Sequence, residues 1–76
     1  MQSMSRAYSN LRELSTALRK HVDLDAIFTS INTRLIIQTG VNLKRVKPEQ
    51  NHDPEVIDAV QRALHEMGIE LGDGNG

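Results

Sequence analysis

A chain of 76 residues with no cysteine builds one small core at most, with neither a disulfide framework nor a cysteine-based zinc site to supplement it. One Phe, one Tyr and no Trp make that core aliphatic and leave almost nothing for bases to stack on, which disfavours single-stranded nucleic acid as a ligand. The formal net charge of -1 conceals a strong polarity: residues 1–48 carry eight Lys or Arg against three acids, and residues 49–76 carry one Arg against seven, so a +5 half precedes a -6 half.

Such a separation either steers association, with a charged partner or head-to-tail with a second copy, or is neutralised by attraction between the halves inside the fold. The residues from Met1 to Tyr8 are polar and lack the apolar stretch of a leader, and no apolar run approaches the roughly 20 residues needed to span a bilayer. The expectation is a cytoplasmic protein.

Met4, Ala7, Tyr8, Leu11, Leu14 and Leu18 recur at spacings of three and four, which predicts a first helix over about residues 5–20. Lys20 and His21 stand where cations favour a helix C-terminus. A second helix, about 24–39, follows Val22-Asp23-Leu24-Asp25, where either Asp is a candidate cap. Leu24, Ile27, Phe28, Ile31 and Leu35 make one stripe on it, and Ile36 and Ile37 fall off that stripe. The C-terminal half of this helix is therefore apolar around much of its circumference, as in helices buried on two sides. A domain this small has little material to cover both sides, unless the first and third helices do so between them.

Gly40 is suited to the left-handed conformation that ends a helix. Residues 41–52 are expected to be an irregular or extended connector: Val41 to Pro48 reads as strand, linker or one helical turn, Pro48 disfavours helix at Lys47, and Glu49 to His52 is polar. Asp53-Pro54-Glu55 then supplies a cap, a proline fitted to the first helical position and an acid near the positive end of the dipole. Val56, Ile57, Val60, Leu64 and Met67 give the third helix, about 54–67, its apolar face, with Gly68 as its stop and Ile69 placed to fold back on Leu64. The fold class is thus all-α, a small three-helix domain over residues 1–71, expected to be dimeric, with 72–76 a disordered tail.

Chemistry is hard to find along this chain. His21, His52 and His65 form no metal pair at helical spacing, and the run His21-Val22-Asp23-Leu24-Asp25 reads more simply as a helix cap than as a ligand set. No nucleophile accompanies His52 and Asp53, and no glycine-rich loop opens a helix. No cofactor, metal site or catalytic group is nominated, and the chain is expected to bind and not to catalyse.

Three segments resemble known families. Asn32 to Asn51 (NTRLIIQTGVNLKRVKPEQN) resembles a helix-turn-helix, with Leu35 at an early core position, Gly40 at the turn, Val41 after it and Val46 inside the second helix. The ending DPEVIDAVQRALHEMGIEL resembles the helix after the recognition helix in bacterial repressors of the phage-repressor and lactose-repressor types. That likeness implies DNA binding; Pro48 within the second helix, the short interval from Gly40 to Pro54 and Ile36 where those repressors prefer a small residue depart from the pattern. Leu11 to Ile31 (LRELSTALRKHVDLDAIFTSI) resembles the entry helices of GAF sensory domains, whose following sheet this chain is too short to hold.

The leading expectation is a small regulatory or adaptor protein that binds another protein or itself. Leu35, Ile36, Ile37 and Val41 would form the apolar part of its interface, and Lys44, Arg45 and Lys47 a charged rim that sets orientation and on-rate. The alternative is a DNA-binding transcriptional regulator that places the same basic segment on phosphates.

Overall fold

A computed structural model describes residues 8–71, which are mostly helical and contain no strand. The described residues form four helices where three were expected: α1 Leu11–His21, α2 Asp25–Thr39, α3 Pro48–Asn51 and α4 Pro54–Glu66. The tail 72–76 and residues 5–7 of the expected first helix lie outside the described residues.

α1 begins later than the apolar periodicity suggested. Its boundary is set by Asn10, in extended conformation, whose side-chain oxygen accepts the Glu13 N–H at 2.9 Å. Glu13 reaches back to the Ser9 hydroxyl at 2.9 Å, a near relative of the capping box. Leu11, Leu14 and Leu18 are fully buried, and Arg19, Lys20 and His21 close the helix on the side that favours cations.

Neither Asp caps α2. Leu24 holds the cap position without a side-chain bond, its carbonyl accepting the N–H groups of Ile27 and Phe28 at 3.0 and 3.2 Å. Asp25 falls within the first turn and points to the Arg19 guanidinium at 3.7 Å, which itself lies 4.0 Å over the Phe28 ring. Phe28 and Leu35 enter the core, and Gly40 ends the helix with φ 77° and its N–H on the Ile36 carbonyl.

The connector after Gly40 is aperiodic yet closely held. Val41 and Leu43 are buried, and the buried side chain of Asn32 accepts the Leu43 N–H at 2.7 Å while donating to the Asn42 side-chain oxygen at 2.9 Å. That same Asn42 oxygen accepts the Lys44 N–H at 2.9 Å, and Ser15 of α1 donates its hydroxyl to the Leu43 carbonyl at 3.3 Å. Backbone groups that a helix or strand would pair are thus satisfied by side chains of two helices and of the connector itself. The helix-turn-helix expectation is not met here: residues 41–47 form no second helix, and Pro48–Asn51 is a single turn.

Pro48, expected to lie within an irregular or extended connector over 41–52, instead opens α3 from its first turn. The helix is four residues long, and its buried Asn51 accepts the Arg12 N–H at 3.0 Å, satisfying one of the free donors at the start of α1. α4 matches its local signals closely. Asp53 accepts the Glu55 N–H at 3.0 Å, Pro54 is the first residue, and Gly68 has φ 82°. The N–H groups of Gly68 and Ile69 bond the carbonyls of His65 and Leu64, both at 2.9 Å, which is the Schellman ending. α4 lies mainly against α2, while α1 contacts α2 and α3. One hydrophobic cluster draws on α1, α2, the connector and α4.

Candidate interaction surface

The residues nominated for an interface from sequence do not share one surface. Leu35 and Val41 are 0% exposed and belong to the core, so neither is available to a partner in the folded protein. Ile36 and Ile37 are exposed but stand about 100° apart around the helix and so present different faces. Lys44, Arg45 and Lys47 are all exposed, with the Lys44 ammonium donating to the Thr29 hydroxyl at 2.7 Å.

Two apolar residues that sequence reasoning had assigned to the buried stripe lie outside it. Leu24 is 59% and Ile27 43% exposed, and with Ile36 and Ile37 they are the large exposed hydrophobics among the described residues. All four stand on α2 or its cap. Leu24, Ile27, Ile31 and Arg34 follow spacings of three, four and three, so they form a seam along one flank of the helix, with Ile31 half-buried. Phe28, Asn32 and Leu35 turn inward beside that seam. Ile36 falls on the other flank, seven residues from the Thr29 that receives Lys44.

A second feature lies where α1 meets the connector. Arg12, Ser15, Leu43, Lys44, Arg45 and Val46 line a depression of about 290 Å³ that contains three cations and no carboxylate. Among the described residues, the Arg12 and Arg45 guanidinium groups have no hydrogen-bond or ion-pair partner. By contrast, a depression of about 580 Å³ beside Glu13, Lys20 and His21 mixes both signs of charge. Arg12 could not be linked to Lys44 and Arg45 from sequence, because the three come together only through the Ser15 and Asn32 hydrogen bonds that hold the connector against α1 and α2.

No ion pair among the described residues joins the two oppositely charged chain halves. Among the described residues, Arg19–Asp25 lies within the basic half, and Arg62–Asp58 and His65–Glu70 lie within the acidic half. Among those residues no group of three or more His, Asp or Glu is placed to hold a metal ion, and none of their helices is long and apolar enough to cross a membrane. No protein-family model matches the chain, and neither the curated proteins nor the solved structures contain a match.

Proposed function

We propose that this chain is a non-enzymatic regulatory or adaptor protein that works through protein–protein contact, beginning with a second copy of itself. The observation that carries this reading is the concentration of exposed large hydrophobics on α2, with Leu24, Ile27 and half-buried Ile31 in one seam.

The seam is self-complementary in an antiparallel sense. A two-fold axis at the level midway between Ile27 and Ile31 sets Ile27 of each copy against Ile31 of the other, an isologous contact. Leu24 then packs on the methylenes of the second copy's Arg34, whose guanidinium comes beside Asp23. Asp23 and Arg34 are both exposed, and neither has a side-chain partner among the described residues, so the contact would join charges left open within one copy.

Analytical ultracentrifugation of the parent, Ile27→Glu and Ile36→Glu tests the arrangement. The parent is expected to be a dimer that dissociates on dilution, Ile27→Glu a monomer with unchanged helix content, and Ile36→Glu, on the other flank, a dimer. A parent that is monomeric at every accessible concentration overturns the reading, as does equal loss of assembly in both variants.

A further inference from the structure

The depression at Arg12, Lys44 and Arg45 sits apart from the α2 seam, and its lining suits an anion. Arg12, Lys44 and Arg45 all line a concavity with no carboxylate in its wall, and the guanidinium groups of the two arginines have no internal partners among the described residues. The wall is fixed by the fold: the Ser15 hydroxyl holds the Leu43 carbonyl, Asn42 holds the Lys44 N–H, and Thr29 holds the Lys44 ammonium. These bonds limit the freedom of the floor and of one cation before any ligand arrives, which lowers the ordering cost of binding.

From this geometry we infer that the depression is a docking site for an acidic segment of a partner protein, which seats an oxyanion, carboxylate or phosphoryl, between Arg12 and Arg45. The inference rests on reading the chain as a protein-binding module. Planar guanidinium groups suit both oxyanions, which accept paired N–H bonds from them. An extended peptide suits the surroundings better than a nucleic acid. Phe28 is 1% exposed, Tyr8 stands by α4 where its N–H bonds Gln61, and the adjoining segment 41–47 is not a helix that could enter a groove. Lys47, exposed and outside the lining, extends the positive surface along the chain.

The test is a fluorescence-anisotropy titration with a labelled glutamate-rich peptide, the same peptide carrying phosphoserine, and a mixed-sequence DNA duplex, all at one salt concentration. The parent is expected to bind a peptide and to lose affinity as salt rises. Arg12→Ala and Arg45→Ala are each expected to weaken binding about threefold to fivefold, as exposed charge pairs do, and the double variant about tenfold or more. Tighter binding of the phosphopeptide identifies phosphoryl as the preferred oxyanion, and equal binding shows that carboxylates suffice. In the parent, amide shifts of Ser15, Lys44 and Arg45 report the site directly. Undiminished peptide binding by the double variant, absence of binding to either peptide, or tighter binding of the duplex overturns the inference. The monomeric variant Ile27→Glu separates this outcome from that of the preceding proposal: peptide binding that survives in it stands whether or not α2 pairs with a second copy.

Discussion

Asn32 shows how much one side chain contributes to this fold. Its amide oxygen accepts the N–H of Leu43 and its amide nitrogen donates to Asn42, both across a gap that backbone pairing does not close. Asn32→Ala removes both partners and leaves the Leu43 N–H in a region where Leu43 itself is 4% exposed. An unsatisfied buried donor costs about 1–3 kcal/mol, a large share of the few kcal/mol that a domain of this size retains. A clear fall in the urea midpoint of Asn32→Ala is the expected result, whereas Thr33→Ala, exposed one position along, leaves it nearly unchanged. The sequence did not announce this role. Asn32 sits mid-helix among apolar residues, and a polar residue there reads as surface until the partner it holds, in a segment of no regular structure, is known. Asn10 and Asn51 escaped notice for related reasons: one caps α1 after a run whose periodicity already looked helical, and the other serves α1 from α3.

At the scale of elements, legibility followed the range of the signal. α4 was readable almost to the residue because Asp53, Pro54 and Gly68 act within one turn of its ends. α3 was missed because four residues are too few to show a period, and Pro48 looks the same whether it ends a loop or opens a turn. α2 was readable in extent but not in orientation: the stripe Leu24 to Leu35 says that a helix is amphipathic, and only the packing of α4 and α1 decides which of its members face inward. Its C-terminal stop yields a clean test. An added Cβ at Gly40 meets nothing within 4 Å, so the cost of Gly40→Ala is that of the left-handed backbone alone. Chemical denaturation of Gly40→Ala is expected to show a loss of about 1 kcal/mol with an unchanged m-value.

At the scale of the molecule, the ion pairs among the described residues form within each half of the charge-separated chain and none joins the two halves. The apolar seam on α2 and the basic depression between α1 and the connector are accordingly two surfaces and not the single patch with a rim that the order of residues suggested. The connector's manner of attachment also bears on motion. The Leu43 N–H is held by the Asn32 side chain of α2 and its carbonyl by the Ser15 hydroxyl of α1, and Leu43 itself is buried, so its amide proton reaches solvent only when the connector lifts from α2. Hydrogen exchange at Leu43 is therefore expected to be as slow as in the middle of α2, and exchange at the exposed Lys47 far faster, although both residues belong to the same irregular stretch. Secondary structure would class residues 41–47 as a loop; slow exchange at Leu43 would place their first half with the core in opening free energy, and the cations beside it on a platform that seldom opens.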